Sequence, residues 1–535
     1  MIGCARDRDR GDGLDVDRVM SHVNALAQAP RVHDTLGART AAIYITGALA
    51  PTPLEATPVG DVDLPAIEIL GHTYRAAEHV HVDDPDLVAR FGPTGKALLL
   101  MAHYDTVPGS PGAVDNAASC ALLIELAKYL QAHPPSFPIM IAFTADEEGG
   151  LVGAEALAAR HGDEVDIAIA LDMVGGSETL VLNGASTLIG LSEMTWLAHA
   201  ADRAGIVIRA PLPHRVLSRW WPQAERSDHG VFTRHHIRAF HLYNRGQDGT
   251  WIDTAYHSPR DTIDRVDRTS IDEAARLLPA LVAAPPPASQ GDGFWLPIAA
   301  NTVVPRWTLL AADAVLAIIA TLGLASLAMA GRARSRPRGA GVIAGIGCFA
   351  AAVAIAAALQ LDFTIPKTTW QSIRMTAGAF AAIAGLTGLF TRVVARRFPW
   401  IGDARYLAIA IAPQLVLGLA LYVLGAAELA WIFLVPAAAL ALATRSHIVG
   451  FIAVIASLLP AVLVLHPNQL LELAWNGFYP GVPIAVFVAF LAAPTICAAA
   501  WWWRSRGAHG PLGTFVLPLG CAVSAIVGIL CEFAR

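Results

Sequence analysis

Lys96-Ala-Leu-Leu-Leu-Met-Ala-His103-Tyr-Asp105, then Gly112-Ala-Val-Asp115-Asn116, then Ile139-Met-Ile-Ala-Phe-Thr-Ala-Asp146-Glu147-Glu148-Gly149-Gly150 is the stretch whose reading decides the fold. The apolar runs Ala97–Ala102 and Ile139–Ala145 have strand length and strand composition. Each ends on side chains able to hold a metal ion. Apolar strands that deliver ligand chemistry at their ends are the pattern of a metal-dependent hydrolase.

Working outward, the elements alternate. Val19–Ala29 and Thr35–Leu49 read as helices, and Ala66–Leu70 and Tyr74–Val82 as strands. Asp83–Thr94, with two prolines and Gly92, reads as a turn-rich connection. Asn116–Gln131 and Leu151–Arg160 have helical period, Asp166–Leu171 is a third apolar strand, and Leu180–Asn183 is a fourth. Ser192–Ala204, Ser227–His235 and Ser270–Ala284 read as helices; Val207–Arg209 and Arg238–Tyr243 read as strands. Strands alternating with helices predict an α/β domain: a mixed, largely parallel sheet sandwiched by helices. The expected boundaries are 1–284 for this domain, 285–306 for a Pro-rich linker, and 307–535 for an all-α polytopic membrane domain.

The composition supports that division. The chain has 535 residues, 55% hydrophobic and 15% charged, against about 25% charged in ordinary soluble domains. Most of the acids and almost all of the histidines lie before residue 290, and the rest of the chain is Ala/Leu/Ile/Val-rich. About eight apolar runs follow, near 308–330, 341–361, 373–391, 406–425, 428–444, 448–466, 480–503 and 512–533; each approaches the ~20 residues that cross a bilayer. Alternate loops carry 11 arginines: Arg332, Arg334, Arg336, Arg338, Arg392, Arg396, Arg397, Arg405, Arg445, Arg504 and Arg506. The opposite side carries Lys367 and Arg374, with Arg535 at the end. Basic residues stay on the cytoplasmic side, which places residues 1–306 on the non-cytoplasmic side. Such a placement calls for an export signal or anchor ahead of the domain, and Met1–Asp17 is polar; the two resolutions are an anchor upstream of Met1 or a cytoplasmic domain that the arginine count misplaces. The net charge of −6, with no basic stripe, argues against nucleic acid as a partner. Six cysteines without a CxxC spacing argue against a disulfide framework or a thiolate zinc site.

Five residues then stand out as metal ligands: His103, Asp115, Glu148, Asp172 and His257. Ligands in open α/β sheets gather at the carboxyl ends of strands, where these five would converge. Two imidazoles and three carboxylates suit zinc, and one carboxylate bridging two ions leaves an open position on each for water. Glu147, beside Glu148, is the expected general acid/base, because neighbouring side chains in an extended loop point in different directions. Asp105, two residues after His103, is placed to accept the second imidazole N–H and fix its tautomer. Singly, each has an ordinary explanation: surface pair, solvated loop, helix N-cap or turn residue. The ordered set is harder to explain in that way. His79, His81, His235, His236 and His241 read as ordinary surface or hydrogen-bonded histidines, and Pro211–Arg226, with Trp220 and Trp221, as a surface loop or pocket wall.

His103-x-Asp105, Asp115-Asn116-Ala117, Asp146-Glu147-Glu148-Gly149, Leu171-Asp172-Met173, Ser227-Asp228-His229 and Tyr256-His257-Ser258-Pro259-x-Asp261-Thr262 together resemble metallopeptidase family twenty-eight, the co-catalytic di-zinc aminopeptidases. The resemblance spans about residues 15–285. It implies two zinc ions per chain, His103 and Asp172 on one, Glu148 and His257 on the other, Asp115 bridging, Glu147 as base, and Tyr256 as donor to the tetrahedral oxyanion. The implied substrate is a peptide with a free N-terminus. With the apolar spans appended, the chain resembles the multi-spanning vacuolar-membrane and endoplasmic-reticulum branch, whose second partner is the lipid bilayer. The alternatives are a single-zinc glutaminyl cyclase-like acyltransferase, a non-catalytic scaffold, or a transporter in which Asp313, Asp362 and Glu428 near span ends do the work. The sequence leaves the oligomeric state open.

Overall fold

The computed structural model describes residues 13–69, 72–185, 188–208, 227–245, 255–288, 306–330, 407–423, 430–443, 448–449 and 452. The chain divides into two compact units, Met1–Arg306 and Trp307–Arg535.

The first unit opens with helices α1 (Val16–Leu26) and α2 (Leu36–Leu49). Strands β1 (Leu54–Leu64), β2 (Ile67–Ile69), β3 (His72–Arg75), β4 (Glu78–Phe91) and β5 (Ala97–His103) follow. Next come α3 (Ala118–Ala132), β6 (Ile139–Thr144), α4 (Val152–His161), β7 (Val165–Leu171), β8 (Ser177–Ala185) and α5 (Leu191–Ala204). The unit ends with α6 (His229–Arg234), β9 (Arg238–Arg245) and α7 (Arg268–Val282). Seven strands form one sheet in the order β1-β4-β6-β5-β7-β9-β8. The central four, β6, β5, β7 and β9, are parallel. Antiparallel β4 and β1 extend one side and antiparallel β8 the other.

The continuous apolar runs are explained by burial on both faces. In β5 alternate residues serve two cores. Leu98, Leu100 and Ala102 pack with residues of α1, α3, α5 and α7. Ala97, Leu99 and Met101 pack with Ala154 and Leu157 of α4 and with Val231 and Phe232 of α6. The result is the sandwiched mixed sheet that the alternation of elements implies.

Three readings of the sequence fail here. Residues 83–91, expected as a connection, belong to β4, and β1 was not anticipated at all. Pro85 lies directly opposite Pro58, beyond the β4–β6 pairing, which covers only Leu87–Phe91. A proline is tolerated where one flank of a strand has no ladder to complete. The Tyr104 hydroxyl donates to the Pro85 carbonyl at 2.9 Å, fixing the strand over the sheet end. The expected strand Tyr74–Val82 is broken between β3 and β4. Val207 and Ile208 are not in a strand, and Arg209 lies outside the described residues.

In the second unit, helix α8 (Arg306–Ala330) contains an apolar stretch long enough to cross a membrane, Trp307–Leu327, 21 residues. It is the only one of that length among the described residues. Helices α9 (Leu407–Val423) and α10 (Ala430–Leu442) are apolar but shorter. The expected spans 341–361, 373–391, 480–503 and 512–533, and most of 448–466, lie outside the described residues. So do the loop arginines, Lys367, Arg374, Asp362 and Glu428. Gly323 packs so closely on Ala441 that a Cβ there would lie 2.3 Å from the alanine side chain. Small residues of this kind let two helix backbones approach closely. Asp313 accepts a 2.7 Å hydrogen bond from the Tyr422 hydroxyl.

Candidate metal centre

The parallel strands end side by side. His103 is the last residue of β5 and lies level with Thr144 at the end of β6. Asp172 follows β7 directly and donates its N–H to the Leu242 carbonyl of β9 at 3.1 Å. These are the carboxyl ends of the strands, the edge of an open α/β sheet where ligands gather.

Asp115 arrives on an irregular turn, Ala113–Ala117, rather than as the cap of a helix. The helix that follows starts at Ala118, two residues later than its period suggests. Asp261 fixes this turn. Its carboxylate accepts the N–H of Val114 at 2.9 Å and of Asp115 at 3.1 Å. Asn116 fixes the neighbouring strand end, donating to the Leu171 carbonyl at 2.9 Å and accepting from the Met173 N–H at 3.2 Å. Asp172 is thus held on both sides by one amide.

Glu147 and Glu148 occupy a tight turn, closed by Gly150 and Leu151 N–H bonds to the Glu147 carbonyl at 2.9 and 2.8 Å. The expected extended loop is absent, yet the two carboxylates still diverge. Asp105 organises this turn as well as facing the imidazole. Its oxygens accept the N–H of Glu147 and of Glu148, each at 3.1 Å, and Oδ1 lies 3.4 Å from His103 Nδ1. A Cβ on Gly149 would sit 2.2 Å from an Asp146 carboxylate oxygen, so a side chain there would have to displace that carboxylate. Asp146, Met173 and His257 are non-glycine residues in the left-handed region, with φ of 54°, 55° and 52°. Each such residue costs about 1–3 kcal/mol and persists only where its surroundings dictate it. All three border or bear a candidate ligand.

The side chains form two groups, His103–Glu147–Asp172 and Asp115–Glu148–His257, within each of which ligand atoms lie within 4.8 Å of one another. His103 Nε2 is 3.3 Å from Asp115 Oδ1 and 3.5 Å from Asp172 Oδ1. His257 Nε2 is 3.4 Å from Asp115 Oδ2 and 2.9 Å from Glu148 Oε2. The two oxygens of Asp115 therefore face different histidines. His103, with a side chain 2% exposed, is the floor of the site, and His257, at 33%, is its mouth. Both ring nitrogens of His103 and Oε1 of Glu148 are buried without an aligned hydrogen-bond partner among the described residues. Buried polar atoms are rarely left so; Nδ1 faces Asp105, while a cation held beside Nε2 and another beside Glu148 would satisfy the remaining two atoms. Cys120 lies beneath, donating to the His103 carbonyl at 3.1 Å. Burial pushes its thiol up to about 12, so it stays protonated in the metal-free protein.

Protein charges alone do not balance. Burial raises Glu147 well above the usual carboxylate range, with Asp172, Glu148 and Asp228 adding to the shift and His103 opposing it. Burial and Asp115 push Glu148 up to about 7. Burial lifts Asp146, Asp228 and Asp261 to about 6 each, with neighbouring carboxylates adding to it. Burial by itself would lower His103 and His257; surrounding carboxylates override it, holding His103 well above its ordinary value and His257 at about 10. Asp115 and Asp172 move down despite burial, because His103, joined at Asp115 by His257, favours their charged forms.

These shifts set the behaviour of the metal-free protein. Acids with raised folded pKa values make the folded state hold more protons than the unfolded chain between about pH 4 and 7, so stability falls as pH rises through that window. Histidines with raised values act in the same direction, losing their contribution as pH rises through the folded pKa. Zinc needs deprotonated ligands and reverses the trend. The chelated full chain is therefore expected to have a higher thermal midpoint at about pH 5.5 than at about pH 7.5, and the gain on adding zinc to be larger at the higher pH. Differential scanning measurements with and without chelator decide it; a metal-free midpoint that rises with pH contradicts the balance of charges described above.

Tyr256 stacks on His257 with ring centroids 3.6 Å apart. Burial, then Asp115 and Glu148, raise its pKa well above that of a free tyrosine, keeping its hydroxyl protonated. His241, expected to be ordinary, is buried with Nε2 3.9 Å from Asp172 Oδ2 and stacks on His229. His79, His81 and His235 pair with exposed or partly exposed acids. Pro211–Arg226, with Trp220 and Trp221, lies outside the described residues. Asn116, Asp228 and Asp261 stood inside recognised motifs without a role, and each sits beside the site. Arg31 gave no signal in the sequence.

Residues 86–282 match the model of Peptidase family M28. Aminopeptidase YwaD of Bacillus subtilis is 31% identical over 196 residues, 35% of this chain and 40% of that protein. A vacuolar membrane protease of Metarhizium robertsii is 27% identical over 205 residues, 37% of this chain and 18% of that protein. The chain thus spans less than half the length of these curated relatives. Among solved structures, the aminopeptidase from Aneurinibacillus sp. strain AM-1 superposes with a TM-score of 0.42 at 16% identity, covering 52% of this chain and 97% of that one. The glutaminyl cyclase of Bacteroides thetaiotaomicron gives 0.40 at 18%, covering 51% and 98%. Through residues 86–282, this chain carries a segment similar to peptidase family M28.

Proposed function

We propose that the chain is a membrane-anchored zinc metallopeptidase that removes N-terminal residues from peptides and holds two zinc ions. One observation supports this above the others: a single carboxylate, Asp115, turns Oδ1 toward His103 and Oδ2 toward His257. That is the disposition of a bridge. His103 and Asp172 would hold one ion, Glu148 and His257 the other, with Asp115 shared. The set of imidazole and carboxylate donors suits zinc. Bound there, zinc supplies Lewis acidity for the scissile carbonyl and for the ionisation of water near neutral pH.

With Asp115 completing the His103 and Asp172 set, Glu147 is left over in that group. A buried carboxylate beside His103 and Asp172 is placed to take a proton from the attacking water and return it to the leaving amine. Asp105 holds the Glu147–Glu148 turn and the His103 ring in register through one carboxylate. Tyr256, kept protonated at the mouth, would donate to the developing oxyanion.

Membrane attachment is supported by α8, whose long apolar stretch leaves Trp307, Val315, Ile318 and Leu322 exposed. A soluble core helix would bury such residues. The arginine asymmetry of the sequence supports a peptidase domain facing away from the cytoplasm.

The test is a panel of aminoacyl amides, N-blocked peptides and N-terminal Gln peptides, presented to intact right-side-out vesicles and to the detergent-purified chain. Expected are cleavage of the unblocked substrates from outside the vesicle, loss of activity with chelator, and two zinc ions per chain. Cleavage of blocked peptides would remove the aminopeptidase assignment. One zinc with cyclisation of N-terminal Gln would replace it with the cyclase reading.

A further inference from the structure

Arg31 is a fully buried cation whose guanidinium bonds, among the described residues, all go to backbone carbonyls. Nε donates to Tyr104 at 2.6 Å, Nη1 to Leu26 at 2.9 Å and Pro111 at 2.6 Å, and Nη2 to Gly112 at 2.9 Å. Its own N–H donates to Thr106 Oγ1 at 2.8 Å, and its carbonyl accepts from the Thr106 N–H at 3.3 Å. Tyr104 stands between His103 and Asp105. Gly112 opens the turn that carries Asp115. One rigid plane therefore ties together the two backbone points from which the centre is built. The turn closes on it: a Cβ on Gly112, which has φ of 61°, would lie 2.3 Å from Thr106 Cγ2 and 2.8 Å from Arg31 Nη2. Asp105, Asp115 and Asp261 are near enough to act on its charge, so the cation also offsets the carboxylates above it. Arg31 precedes the family-matched segment 86–282.

We propose that Arg31 is a positioning residue for the metal centre: its guanidinium sets the spacing between the strand end bearing His103 and the turn bearing Asp115. This rests on the zinc reading above. Lysine cannot take its place, because one ammonium cannot reach carbonyls on both sides of a planar fork.

The experiment uses the full chain in detergent, wild type against Arg31→Lys and Arg31→Ala, with circular dichroism to establish folding. Zinc content is measured first, then the rate of zinc transfer to a chromogenic chelator. Residues that orient ligands change metal affinity by about 10–100-fold when lost, so both variants should release zinc about tenfold faster or more. Millimolar methylguanidinium should slow the release again in Arg31→Ala, a recovery that loss of general stability would not give. Arg31→Lys releasing zinc at the wild-type rate overturns the inference, as does a folded Arg31→Ala that methylguanidinium leaves unchanged. If Arg31→Ala does not fold, Arg31→Lys decides alone. A wild-type chain without zinc overturns the zinc reading and this inference with it; a zinc-loaded wild type with unaltered variants overturns this inference only.

Discussion

Glu147→Gln is expected to lower kcat by about 10²–10⁴-fold, the range of a positioned general acid/base, while zinc content and folding stay as in the wild type. The substitution keeps the shape of the side chain and removes only its ability to accept a proton. Glu147 lies with His103 and Asp172, and its backbone N–H bond to Asp105 at 3.1 Å does not depend on the side chain. The turn should therefore survive. KM should change little, because the lost interaction belongs to the transition state. Two measurements decide it: zinc per chain, and steady-state kinetics on an aminoacyl amide. Activity within about tenfold of wild type would remove Glu147 from the chemistry. Loss of one zinc would instead make it a ligand.

The second large effect is expected at Asp115. Asp115→Asn should reduce bound zinc from two ions to one or fewer and abolish measurable turnover. The amide nitrogen would face one of the two histidines that Asp115 now meets at 3.3 and 3.4 Å, and the bridging charge would be gone. The loss should exceed the ~10–100-fold typical of residues behind the ligands. Without zinc the variant should also be less stable than the wild type, because His103 and His257 both favour the charged form of Asp115. Retention of two zinc ions with substantial activity would show that the bridge lies elsewhere.

Much of this molecule is legible without coordinates, for a local reason. Ala97–Ala102, Ile139–Phe143 and Ile167–Leu171 are buried on both faces, so their apolar character is unbroken and cannot be mistaken for a surface element. Period and composition act over a few residues, and so do the chemistries of imidazole and carboxylate. Illegible parts are of another kind. β1 and residues 83–91 of β4 carry opposed prolines among charged residues, and their strand character comes from pairing rather than composition. His241 reads like any histidine on a strand until β9 is laid beside β7.

The sequence by itself named the chemistry of the centre: which residue types, in which order, at the ends of which strands. Tertiary structure alone decided their arrangement, with Glu147 beside His103 and Asp172 and Glu148 beside His257. It also supplied the supports. Arg31 reaches Gly112 across 81 positions, Asp261 reaches Asp115 across 146, and Asn116 reaches Leu171 across 55. Ligand identity is a property of single side chains and can be read one residue at a time. Ångström-scale spacing between ligands is set by hydrogen bonds from distant segments, and no local pattern in the chain encodes those.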